Sequence, residues 1–131
     1  MIEKTQINNS NKKKVLMVQG LHEEGQKLFL ARDDIEPITI MSSNEDEIME
    51  AAKDVHGITV RTANISRKII ENAKNLLIVS RHGVGYDSID IDALNDSSIP
   101  LAIAAHSNMI SVAEHAMFML LALSKNVFYY D

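Results

Sequence analysis

Strand-length apolar runs alternate one for one with helix-length segments along residues 14 to 126, and this alternation leaves few folds open. The runs are KVLMVQG (14–20), IEPITI (35–40), GITVR (57–61), LLIVS (76–80) and IPLAIAA (99–105). Between them lie HEEGQKLFLA (22–31), SSNEDEIMEAAKDV (42–55), SRKIIENAKN (66–75) and DIDALNDSS (90–98); SVAEHAMFMLLALSKN (111–126) follows the last. Strands separated by single helices pair in parallel through right-handed crossovers, which puts helices on both faces of one sheet. The pattern predicts an α/β fold: a three-layer, doubly wound parallel five-stranded sheet of flavodoxin-like (Rossmann-like) order 2-1-3-4-5, with a long C-terminal helix. Pro37 suggests that its strand lies at a sheet edge, where a missing N–H is harmless. Ser42 and Asn44 are cap candidates before three acids, with Ile48, Met49, Ala52 and Val55 following at helical spacing.

Composition narrows the partners. The formal charge is −5, from 18 acidic against 13 basic residues, which argues against nucleic acid and acidic membranes as partners. The one basic run, Lys12-Lys13-Lys14, reads as a solvated stretch, and residues 1–13 as a polar, disordered tail. There is no cysteine, hence no disulfide and no thiolate chemistry. The start shows no secretory h-region, and the longest apolar run, Ala116 to Leu123, is far below the ~20 residues that span a bilayer. A soluble, cytoplasmic protein is expected.

In sheets of this kind ligands bind beyond the carboxyl ends of the strands. Gln19 and Gly20 stand there after the first strand, and Arg61, Thr62 and Asn64 after the third. Arg81, His82, Gly83, Val84 and Gly85 follow the fourth, and His106, Ser107 and Asn108 the fifth. Two arginines, a glycine loop with free N–H groups, amides and hydroxyls suit a small anion such as a carboxylate or phosphate. The other reading is that Arg61 and Arg81 pair with nearby acids and the glycines only turn the chain. The G-x-G of Gly83 and Gly85 is not a dinucleotide loop. Ser88 takes the third glycine position, no long helix starts there, and the loop follows the fourth strand instead of the first.

RHGVGYDSIDIDAL (81–94) and IPLAIAAHSNMISVAEHAMFMLLALSKN (99–126) resemble the substrate-binding domain of the D-isomer-specific 2-hydroxyacid dehydrogenases, especially 3-phosphoglycerate dehydrogenase-like members. Arg81, Gly83, Gly85 and Asp87 match the family's R-x-G-x-G-x-D loop, Ile99-Pro100 part of its G-I-P, and Ser111 to His115 the start of its long helix. GITVRTANISRKIIENAKNLLIVS (57–80) is similar to the segment in which an arginine follows the third strand. Departures are Ser98 for glycine, Ser88 for asparagine, and Ala104-Ala105-His106 where a Thr-Pro turn is common.

The resemblance implies roles. Backbone N–H groups at Val84 and Gly85 would bind the substrate carboxylate, Arg61 would face the distal part of the substrate, and Asn108 would be a polar substrate-side residue. With Thr62, Arg81 and Gly83 these make the implied substrate-binding set. NAD serves the family, but its members carry G-x-G-x-x-G and the catalytic arginine, glutamate and histidine in a further Rossmann domain. This sequence ends at Asp131. The expectation is therefore a truncated enzyme without catalytic, cofactor-binding or metal residues. Residues 14–110 would be the substrate-binding domain and 111–131 an interdomain or dimerisation helix leading to a linker. His115, beside Glu114 in a helix, lacks an H-E-x-x-H pattern and reads as structural. A rival reading is a non-catalytic module that binds small anions or another protein. Finally, AMFMLLAL (116–123) is apolar on every side. The sheet is expected to cover one side of this helix, leaving the rest for a homodimer contact through residues 111–127.

Overall fold

The computed structural model describes residues 12–129. The predicted tail lies outside the described residues up to position 11, but its last residue, Lys13, already belongs to the first strand and pairs with Ile35. The strands are β1 (Lys13–Val18), β2 (Ile35–Ile40), β3 (Gly57–Val60), β4 (Ile78–Arg81) and β5 (Leu101–Ile103). The helices are α1 (Glu23–Leu30), α2 (Glu45–Ala51), α3 (Arg67–Asn72), α4 (Ile91–Asp96) and α5 (Met109–Ser124), followed by a 3-10 turn, Val127–Tyr129. The sheet order is β2-β1-β3-β4-β5, parallel throughout, as the sequence predicts.

The order dictates the layers. From β1 the chain steps one way to β2, and every later step runs the other way. Right-handed crossovers therefore place α1 on one face and α2, α3 and α4 on the opposite face. Period-two alternation supplies the core on that second face: Leu16 and Val18 of β1, Ile58 and Val60 of β3, and Val79 of β4 pack with Ile48, Ile69 and Leu94 from the helices. On the α1 face an open, mainly apolar trough of about 540 Å³ remains, lined by Val15, Phe29, Thr59, Ile78, Ser80 and Ala102.

At the β2 edge, the N–H groups of Lys13 and Gln19 donate to the carbonyls of Asp34 and Ile40 (2.8 and 2.7 Å). In a parallel strand alternate residues bond to opposite sides. The even-numbered residues of β2 thus face β1, and Pro37 turns its missing N–H outward.

Helices are shorter than their apolar period suggests. α2 stops at Ala51, yet Ala52 and Val55, in the turn beyond it, are still buried in the core. Asn44 caps α2, its Oδ1 accepting from Asp46 N (2.9 Å) and Glu47 N (3.2 Å). Ser66 stands at the start of α3 but makes no side-chain cap; its hydroxyl donates to the Glu45 carboxylate. α4 ends in a Schellman arrangement: Ile99 N–H donates to Leu94 O (2.9 Å) and Ser98 N–H to Asn95 O (3.0 Å). Ser98, which departs from the glycine of the resembled family pattern, takes φ 54°, the left-handed region.

The long helix corrects an expectation. The sheet does not cover one side of α5: of its 16 residues only Ala122 is buried, and Phe118 and Leu123 are 57% and 73% exposed. The turn before it fixes its direction, with Ala104 N–H on Gly83 O (3.0 Å) and Ser107 N–H on Ala104 O (3.2 Å). α5 begins at Met109, two residues earlier than the sequence suggested. No helix among the described residues is long and apolar enough to cross a membrane.

Candidate functional site

Strand register decides what stands together at the carboxyl end of the sheet. Val18 pairs with Val60, and Val60 with Arg81. One residue on, Gln19, Arg61 and His82 come side by side, pointing to the α1 face because Val18 and Val60 point into the core. His82 N–H donates to Val60 O (2.8 Å), which holds this row together. Arg61 and His82 line a cleft of about 390 Å³ with Gln19, His22, Thr39 and Met41. No carboxylate lines it, and among the described residues Arg61 forms no ion pair.

Gln19 ties the first strand to the loop after the third. Its Oε1 accepts from Thr62 N (2.8 Å) and Ala63 N (3.0 Å), and its Nε2 donates to Thr62 Oγ1 (3.0 Å). The arrangement needs Gln19 at φ 66° and Gly20 at φ 64°. Thr62 therefore spends both its N–H and its hydroxyl on Gln19, holding the loop in which Arg61 stands.

The glycine loop follows β4. Gly83 has φ 152°, its N–H bonds to Arg81 O (2.9 Å), and its carbonyl accepts from Ala104 N (3.0 Å). Val84 and Gly85 are exposed, and among the described residues neither N–H has a hydrogen-bond partner. Beyond the loop, Ile65 N–H donates to Ser88 O (2.8 Å) and Asp90 N–H to Ile65 O (3.0 Å), anchoring its far side.

The two arginines part company. Arg81 shares the core-side orientation of its register partner Val60, so it does not join Arg61 in the cleft. Its guanidinium folds beneath Gly83, Nη1 donating to His82 O (2.9 Å), while its Nε is buried without a partner. Neither arginine pairs with an acid among the described residues, so the ion-pair reading of them does not hold. Asn108 is exposed at the start of α5 and its side chain makes no cap bond. His115 stacks on Phe118 with ring centroids 6.0 Å apart, within α5.

The sequence places Gln19 and His82 at the rim without a specific role, and it does not single out His22. The cleft brings all three beside Arg61. The signal was available in the register, since each lies one to four residues beyond a strand end. No group of three or more potential metal ligands occurs among the described residues. The Gly83–Gly85 loop does not have the arrangement of a dinucleotide loop. The next helix after Gly85, α4, starts only at Ile91, so no helix N-terminus stands behind the glycines to receive a pyrophosphate.

A family profile described as D-isomer specific 2-hydroxyacid dehydrogenase, catalytic domain, matches residues 15–129. The chain is 33% identical over 115 residues to D-3-phosphoglycerate dehydrogenase of Methanocaldococcus jannaschii, covering 87% of this chain and 22% of the relative. It is 32% identical over 108 residues to hydroxypyruvate reductase of Thermotoga maritima, covering 82% of this chain and 35% of the relative. It thus spans about a fifth to a third of the length of these relatives. Among solved structures, NAD+-bound 3-phosphoglycerate dehydrogenase of Entamoeba histolytica superposes with TM-score 0.72 at 27% identity, over 85% of this chain and 39% of that one. NAD-dependent formate dehydrogenase of Staphylococcus aureus, in complex with NAD, gives 0.73 at 29% identity, over 88% and 40%.

Proposed function

This chain belongs to the D-isomer specific 2-hydroxyacid dehydrogenase family, and on that premise we propose that it is the substrate-holding part of an NAD-dependent oxidoreductase acting on a 2-hydroxy or 2-keto acid. The observation that carries the reading is the pair of unpartnered N–H groups at Val84 and Gly85. They sit in a loop braced by Arg81 below and by Ala104 at its side. They receive the substrate carboxylate, and the absence of a Cβ at Gly85 lets it approach the backbone. Arg61 faces the distal end of the substrate, held in place by Thr62 and Gln19. Asn108 offers an exposed amide at the start of α5. NAD supplies the hydride chemistry in such a reaction. This chain's own residues bind and orient the acid, and its glycine loop lacks the arrangement of a dinucleotide loop. Its cysteine-free sequence suits the cytoplasm, where we place it.

We also propose a homodimer through residues 111–127, because α5 leaves its large apolar side chains uncovered. Sedimentation equilibrium at micromolar concentration then gives twice the 14.6 kDa chain mass. Phe118→Glu returns it to one.

The substrate reading is tested by NMR titration of the chain with 3-phosphoglycerate. Amide shifts confined to residues 82–86 and the Arg61 loop support it. A titration that moves no amide there overturns it.

A further inference from the structure

We infer that His82 is a specificity-determining residue which, with Arg61, selects 2-hydroxy acids carrying a second anionic group, either a carboxylate or a phosphate. The inference rests on the substrate-holding function proposed above and extends it to a residue that the R-x-G-x-G-x-D pattern leaves open.

Two separate anion-holding elements stand at this end of the sheet. One is the glycine loop, with its free N–H groups at Val84 and Gly85. The other is the cleft on the α1 face, where Arg61 and His82 come from adjacent strands as neighbours in register. A monocarboxylic acid satisfies one of them. A substrate with charge at both ends satisfies both.

His82 is the hinge between the two elements, because it lines the cleft and directly precedes the loop. Its backbone is fixed on both sides: its N–H donates to Val60 O (2.8 Å) and its carbonyl accepts from Arg81 Nη1 (2.9 Å). The imidazole itself is exposed and makes no hydrogen bond or ion pair among the described residues. It is therefore a ring on a rigid mount with its nitrogens unspent.

Of the groups in the cleft, Arg61 and His82 are the two brought together as neighbours in strand register. Gln19 is committed to Thr62 and Ala63, and His22 Nδ1 accepts from Glu24 N (3.4 Å). No acid lines the cleft to compete with an incoming anion. An imidazole beside a guanidinium forms two charge-assisted contacts to one distal anion, and selectivity then follows from geometry already present in the free chain.

Calorimetric titration of the chain with D-glycerate, D-malate and 3-phosphoglycerate tests this. The expected result is that D-malate and 3-phosphoglycerate each bind at least about tenfold more tightly than D-glycerate, the scale of one charge-assisted hydrogen bond. His82→Ala removes most of that preference, weakening D-malate and 3-phosphoglycerate more than it weakens D-glycerate. His82→Gln, which keeps a side-chain donor, falls between. Equal affinities for the three acids, or a preference untouched by His82→Ala, overturn the inference while the substrate-holding reading stands. If no acid binds the wild-type chain, that reading fails first. An unchanged amide spectrum outside residues 80–86 shows that the variant is folded.

Discussion

The guanidinium of Arg81 occupies the space in which a Cβ on Gly83 would stand: such an atom would lie 1.4 Å from Nη1 and 2.7 Å from Cζ. Gly83 also holds φ 152°, a conformation strained for any side chain. Gly83→Ala is therefore predicted to cost about 1–3 kcal/mol, through the backbone conformation and through expulsion of Arg81 from its bond to His82 O. The double variant Gly83→Ala with Arg81→Ala should recover the steric part and keep the conformational part. Urea denaturation of the four proteins of the cycle checks this, and strictly additive losses would show that the two residues do not compete for space.

Gln19 offers a cleaner separation of stability from binding. Gln19→Ala strips the acceptor from Thr62 and Ala63 N–H and should cost about 1–2 kcal/mol. Gln19→Glu keeps the acceptor, so its urea midpoint should stay closer to wild type. Its added charge beside Arg61 should nevertheless abolish anion binding in the NMR titration. Retained binding in the Glu variant would show that Arg61 is not the distal anchor.

Ser98 sits at φ 54° after the C-terminus of α4, with the Schellman bonds around it intact. A left-handed L-residue costs roughly 1–2 kcal/mol, part of which glycine returns as unfolded-chain entropy. Ser98→Gly should thus stabilise the protein by about 0.5–1 kcal/mol. A lower thermal midpoint for the glycine variant would contradict the prediction.

His56 carries the pH dependence. Its Nδ1 accepts from Lys14 N (3.2 Å), which requires the neutral ring, and burial, with Lys13 and Lys14 adding to it, holds its pKa below the ordinary value of 6.5. The folded state therefore resists protonation more than the unfolded chain does. The stability it contributes is complete above pH 6.5 and is lost as pH falls from there toward the lower folded value. His56→Asn keeps an acceptor without a titration, so its urea midpoint should change less between about pH 7.5 and about pH 5.5. Identical pH profiles for the two proteins would assign the effect elsewhere.

The chain should not bind NADH on its own. It has no G-x-G-x-x-G, and its one G-x-G loop has no helix behind it. Calorimetry should detect no binding tighter than a Kd of about 100 μM, roughly 5.5 kcal/mol. A tighter isotherm would mean that another surface recognises the dinucleotide.

The strands, their order and the Pro37 edge were legible in the sequence, because buried parallel strands are short apolar runs and right-handed crossovers restrict their arrangement. Helix ends were not. Ala52 and Val55 continue the apolar period past the last helical residue of α2, since a turn can bury side chains as a helix does. The direction of α5 was illegible for a related reason. A helix with no polar face carries no mark of the side it turns to the sheet, and hydrogen bonds of the preceding turn orient it instead. At the rim, residue types pointed to Arg61, Val84 and Gly85 as the anion-holding groups proposed above. They did not show that Arg81 turns to the other face, which depends on one step of strand register.

Pro37 has a further consequence on the outer side of β2. An incoming strand from another molecule would need an unbroken row of donors along Ile35, Pro37 and Thr39, and the middle donor does not exist. At the opposite border β5 offers only Leu101 to Ile103, too short a template to hold a stranger. Growth by strand addition, the route to fibres, is thus discouraged at both borders of the sheet. A chain crowded with its own copies during synthesis is left to associate through side chains, in contacts that can close and dissociate, and not through backbone ladders that propagate.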